Sequence, residues 1–126
     1  MSLLLSIVEI GGYPDFGRLY QSKGFAVSQV DSMRKAVKVL KKDQPGVVVA
    51  EFNFQSDFRD RTSSLETLMA MVQRMPDTRV IVFYEQEQLP QLQRLLQVFP
   101  VFATLTFPID ESELEAVLDE ILQEAA

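Results

Sequence analysis

Pro45-Gly46-Val47-Val48-Val49-Ala50-Glu51-Phe52-Asn53-Phe54 reads as a turn followed by a central β-strand. The four apolar residues Val47 to Ala50 show no polar alternation, the pattern of a strand covered on both faces, as in the parallel sheets of α/β proteins. Glu51 ends the run. It stands at the strand's carboxyl end, the side on which an open parallel sheet receives its ligands. Two readings of this acid stay open on the sequence: a member of a functional crevice, or an ordinary solvated strand end.

Outward from this strand, Leu3 to Ile10, Phe25 to Val30, Arg79 to Tyr84 and Val101 to Phe107 are further β-rich runs. Between them lie helical patterns. Pro14 to Lys23 carries Phe16, Leu19 and Tyr20 at helical spacing and stops at Gly24. Asp31 or Ser32 caps a second helix, with Met33, Ala36, Val37 and Leu40 on one face and Arg34, Lys35, Lys38, Lys41 and Lys42 over the rest. Ser63 or Ser64 caps a third, running through Leu65, Leu68, Met69, Val72 and Met75 to Pro76. The fourth lies in Glu85 to Val98 and the fifth in Asp110 to Gln123. Five alternations with short connections predict an α/β fold: a doubly wound five-stranded parallel sheet in three α/β/α layers, with right-handed crossovers.

The 126 residues suffice for one domain, 1–126, with a good core, and Met1-Ser2-Leu3 has the look of an expression scar. With neither cysteine nor histidine, disulfides, thiolate or imidazole metal sites and the Cys-His and Ser-His pairs are excluded. The net charge is -6, and along the sequence no basic cluster exceeds the pair Lys41-Lys42, so nucleic-acid binding by this domain is not expected. Met1 to Ile10 is too short to span a bilayer and lacks the flanks of a signal peptide. A cytoplasmic protein without membrane contact is the expectation.

Three segments resemble the receiver domains of two-component response regulators. Asp31 to Glu51 is similar to that family's second helix and third strand, Pro76-Asp77-Thr78-Arg79-Val80-Ile81-Val82-Phe83 to its fourth strand, and Phe107-Pro108-Ile109-Asp110 to the end of its fifth. The resemblance implies a (βα)5 fold of the flavodoxin/CheY-like kind. It also implies a phosphoacceptor aspartate at the end of the third strand, where this chain has Glu51, and an acid pair for magnesium after the first strand, where it has Glu9 and Ile10. A threonine or serine after the fourth strand is matched by Tyr84, and a lysine before the proline of the fifth by Phe107. These departures mark a pseudo-receiver. An added methylene misplaces the nucleophile, and phenylalanine offers no donor to a phosphoryl group. Glu9, Glu51 and the Asn53 carbonyl make at most an incomplete set for a hard cation, so neither metal nor cofactor is expected.

The leading expectation is therefore a protein-interaction module in signalling, not an enzyme, working independently of phosphorylation through a bacterial two-component pathway. The resemblance places its contact face around the fourth helix, fifth strand and fifth helix: Gln91, Gln97, Phe99 and Phe102, with Asp119, Glu120 and Glu124. The partner is another signalling protein or a second copy of the chain. Glu51 as an imitation of a phosphorylated aspartate would need a donor beside it, and the matching lysine is absent. Alternatives are an unorthodox phosphorelay receiver using Asp57 or Asp60, and a flavodoxin-like binder of a small ligand using Gly11-Gly12 as an anion loop. A carboxylate pair, Glu9 with Glu51, is the one enzyme-like feature, and no nucleophile or substrate clamp accompanies it.

Overall fold

The computed structural model describes residues 2–52 and 64–125. Strand and helix alternate through β1 (Leu3–Ile7), α1 (Gly17–Ser22), β2 (Ala26–Val30), α2 (Met33–Lys42), β3 (Val47–Glu51), α3 (Ser64–Val72), β4 (Arg79–Tyr84), α4 (Leu89–Val98), β5 (Ala103–Thr106) and α5 (Glu111–Ala125). A 3-10 turn, Gln86–Gln88, leads into α4, whose Pro90 sits in the first turn, where its missing N–H costs nothing. The strand order is β2-β1-β3-β4-β5 with every neighbour parallel. This is the doubly wound, flavodoxin-like order, with its topological switch between β1 and β3.

Side chains of a strand alternate between faces, and this alternation builds two cores. Leu5, Ile7, Val48, Ala50, Val80, Val82 and Tyr84 pack under α2, α3 and α4. Leu4, Val47, Val49, Ile81, Phe83 and Leu105 pack under α1 and α5, whose Phe16, Tyr20, Leu114, Leu118 and Ile121 close the other side. Glu51 has the parity of Val47 and Val49. Its side chain therefore belongs to the α1/α5 side of the sheet, at the top.

Element ends differ from the sequence expectation where local hydrogen bonds override hydrophobic pattern. β1 stops at Ile7, with Val8 N–H adding one bond to Val30 O, because Gly11 and Gly12 at φ +75 and +85 turn the chain across the sheet. α1 begins at Gly17 instead of Pro14, since Asp15 Oδ1 accepts the Gly17 N–H at 2.8 Å and holds a turn there. α3 ends at Val72 instead of Met75: Met75 N–H reaches back only three residues, to Val72 O. β5 is shortened to Ala103–Thr106, although Phe102 and Phe107 N–H still bond to Val80 and Tyr84 O on β4. Of the two candidate caps of α2, Ser32 serves: its Oγ accepts the Lys35 N–H at 3.1 Å, while Asp31 pairs with the Lys35 ammonium.

Candidate functional site

Glu51 is the only charged residue among the buried ones described, at 2% exposure. A buried carboxylate must be paired or fully hydrogen-bonded. Here hydrogen bonds carry it, all from the loop that follows β1. Glu51 Oε1 accepts the Ile10 N–H at 2.9 Å; Oε2 accepts the Gly11 N–H at 3.2 Å and the Tyr13 hydroxyl at 2.6 Å. Successive backbone N–H groups converging on one anion form a nest, and the left-handed Gly11 is what allows the loop to present them. Among the described residues no lysine or arginine pairs with Glu51.

Tyr13 is wedged by aromatic rings. Its ring meets Phe83 edge-on at 5.1 Å, Phe107 at 5.7 Å and Phe16 at 6.2 Å, so its hydroxyl is aimed at Glu51 by packing on three sides. Burial, then the bond to Glu51, pushes the Tyr13 pKa well above the ordinary 10.0, and Glu9 adds its negative charge to the same effect. Burial also raises Tyr20, with Asp15 contributing. Raised phenol values mean that folding holds both rings neutral. The associated stability is constant below the ordinary phenol value near 10 and is lost above it. Ultraviolet titration of a Tyr84→Phe variant, which leaves these two phenols, should accordingly show Tyr13 and Tyr20 ionising together with loss of the far-ultraviolet dichroism; phenolate appearing near pH 10 with dichroism intact would contradict this placement.

The solvated strand-end reading of Glu51 is thus overturned, and so is the inference that it lacks a donor. The missing lysine is irrelevant because the β1–α1 loop supplies three donors. Gly11-Gly12 is indeed part of an anion-holding loop, but the anion at the Gly11 N–H is the protein's own carboxylate. Ile10 contributes its N–H while its side chain stands 75% exposed, and Glu9 lies half-buried close enough to act on Tyr13. Phe107, joined to Pro108 by a cis peptide bond, packs on Tyr13 and Phe83. Tyr84 does not join this group; its ring belongs to the opposite core, below α2 to α4. Asn53, Asp57 and Asp60 lie outside the described residues.

Magnesium does not fit the described part of this corner. Both Glu51 oxygens are already taken by N–H and O–H groups, and no cluster of three acids that could hold a metal occurs among the described residues. Tyr13 is the residue that sequence reasoning passes over. Its signal was present as a tyrosine directly after Gly11-Gly12, on a loop leaving the strand beside the one that ends in an acid.

Of the residues expected on a contact face, Phe99 flanks the core under α4 and Phe102 the core on the other side of the sheet, and the two line one groove of about 320 Å³ together with Val98, Pro100 and Val101. Asp119 is drawn to Lys23 at 2.9 Å, together with Glu115, and Glu124 meets Arg79 at 3.4 Å, so two of the three named acids are engaged in ties of α5 to its own domain. Gln97 and Val98 are exposed. Gln91 is half-buried beside Phe52, Leu95, Val98 and Phe99 in a groove of about 250 Å³ between α3 and α4, and its side-chain oxygen has no partner among the described residues. No described helix is long and apolar enough to cross a membrane.

The sequence matches no protein-family model and no curated protein. The fold does have solved counterparts. A response regulator receiver domain protein from Clostridium thermocellum superposes with a TM-score of 0.76 at 15% identity, over 99% of this chain and 97% of that one. A two-component transcriptional regulator AraC from Clostridium phytofermentans ISDg gives 0.72 at 20% identity, over 97% and 94%. The chemotaxis protein CheY4 of Vibrio cholerae gives 0.68 at 16% identity, over 100% and 99%. At these identities the likeness establishes a CheY-like fold and nothing more.

Proposed function

We propose that this domain is a phosphorylation-independent protein-interaction module of the receiver type, serving two-component signalling in the cytoplasm and performing no catalysis of its own. The observation that carries the reading is the occupation of the acid at the end of β3: both Glu51 oxygens are hydrogen-bonded inside the fold. A phosphoryl acceptor needs a free oxygen in line with the incoming phosphorus and a cation to offset its charge. Here the oxygens hold a loop, Phe107 stands where the resemblance calls for a lysine, and the described residues offer no metal set.

The same contacts support a second reading of how the module is set. The loop after β1 is closed onto a fixed anion, so the top of the sheet needs no phosphoryl group to be ordered. Glu51 then acts as a permanent internal tether, and the module presents one state to its partner. Incubation with acetyl phosphate and magnesium, followed by intact-mass measurement, tests the proposal. The expected result is an unchanged mass for the wild type and for Glu51→Gln alike. A phosphoryl adduct on the wild type that disappears in Glu51→Gln would overturn it, and an adduct that survives in Glu51→Gln would move the acceptor elsewhere, to Asp57 or Asp60.

A further inference from the structure

Helix α2 and helix α5 carry opposite charge on their solvent sides. α2 holds Arg34, Lys35, Lys38, Lys41 and Lys42, five of the chain's twelve basic residues, with no acid within the helix. All five are exposed, and among the described residues only Lys35 has an ion-pair partner, Asp31. What the sequence presents as a single lysine pair becomes, at 3.6 residues per turn, a ridge along the helix. α5 has no basic residue. Its Glu111, Glu113 and Glu120 are exposed and form no ion pair among the described residues, whereas its other acids Glu115, Asp119 and Glu124 are tied to Lys23 and Arg79.

The two ridges match in spacing. Arg34 and Lys41 are seven residues apart, as are Glu113 and Glu120, and seven residues of helix rise about 10.5 Å on either element. They also cannot neutralise each other within one molecule, because α2 packs on the core under α2 to α4 and α5 on the core of the other sheet face. We propose that a second copy of this chain is the partner of the α2 ridge, α2 of one molecule lying along α5 of the next. The contact is heterologous and propagates head to tail instead of closing as a two-fold pair. Exposed ion pairs are individually weak, so the association belongs to high protein concentration and is screened by salt. This proposal goes beyond the signalling reading and does not depend on it.

Sedimentation velocity on the whole chain over a rising concentration series tests it. At about 0.1 M salt, where the screening length is about 10 Å, the average mass should climb with concentration; at about 1 M, where it is about 3 Å, the chain should stay monomeric. Lys38→Glu/Lys41→Glu/Lys42→Glu and Glu113→Lys/Glu120→Lys should each be monomeric at the lower salt with unchanged circular dichroism. An equimolar mixture of the two should associate again, since each supplies the charge the other has lost. The Glu113→Lys/Glu120→Lys variant also brings the net charge closer to zero, so its loss of association could not come from added repulsion between copies. A wild type that stays monomeric at millimolar concentration would overturn the proposal, as would association that survives either charge reversal or high salt. Binding of the α2 ridge to phosphatidylserine vesicles in place of self-association would assign it to anionic lipid instead.

Discussion

Glu51→Gln should lower the unfolding free energy by about 2–4 kcal/mol, an unusually large effect for a change that keeps size and shape. The carboxylate accepts from Ile10, Gly11 and Tyr13 with two oxygens. An amide has one accepting oxygen, and its NH2 group cannot receive an N–H. Tyr13 can turn its hydroxyl to accept, but one of the two backbone donors is left facing another donor. Hydrogen bonds to a charged acceptor contribute about 1.5–3 kcal/mol, and a buried donor stripped of its partner costs about 1–3 kcal/mol. Glu51→Ala, which abandons all three donors and opens a void, should cost more, about 4–5 kcal/mol. Tyr13→Phe retains both backbone bonds and should cost less than either. Urea unfolding of the three variants checks the order; Glu51→Gln within about 0.5 kcal/mol of wild type would show that the loop does not depend on the carboxylate.

Phe83→Ala should be of similar or greater size, about 3–5 kcal/mol. The ring is fully buried and is the hub of the aromatic group: Tyr13, Phe16 and Phe107 all lie edge-on to it, at 5.1, 6.4 and 6.2 Å. Its removal should do something a remote core deletion would not, because Tyr13 loses the wall that aims its hydroxyl at Glu51. The effects of Phe83→Ala and Tyr13→Phe should therefore be non-additive, the double variant losing less than the two singles together. In Phe83→Ala the Tyr13 phenol should also ionise at lower pH than in the wild type. Strict additivity of the two losses would mean that the ring packing and the Glu51 bond are independent.

The layers of the fold were legible because they follow from local pattern. Val47 to Ala50 and Val80 to Phe83 read as covered strands, and the apolar stripe Met33, Ala36 and Leu40 faces the core as its spacing requires. Even the side of the sheet on which Glu51 stands follows from counting two residues on from Val49. The burial of Glu51 did not follow. Whether a strand-end acid is wet or enclosed depends on a loop forty residues earlier in the chain folding over it, and on Gly11 taking a left-handed conformation that any turn would equally explain. The donors of Glu51 are illegible for a related reason: a cation shows in the sequence as a lysine or arginine, whereas these donors are backbone N–H groups and a phenol. Tyr84 shows the opposite error. Its position after β4 suggested a place beside Glu51, whereas its parity with Val80 and Val82 puts it in the other core.

On the proposed reading, the acid at the end of β3 is committed to the loop after β1 and is therefore closed to phosphoryl chemistry. An amide NMR titration with magnesium, then with beryllium fluoride as a phosphoryl analogue, tests it most directly. The amides of Glu9, Ile10, Gly11, Glu51 and Tyr84 are expected to stay in place through millimolar magnesium and beyond the addition of the fluoride. Shifts at Glu51 and Gly11 that spread to α4 and β5 would contradict it, and would make the domain a working phosphorylation switch with a glutamate at its centre.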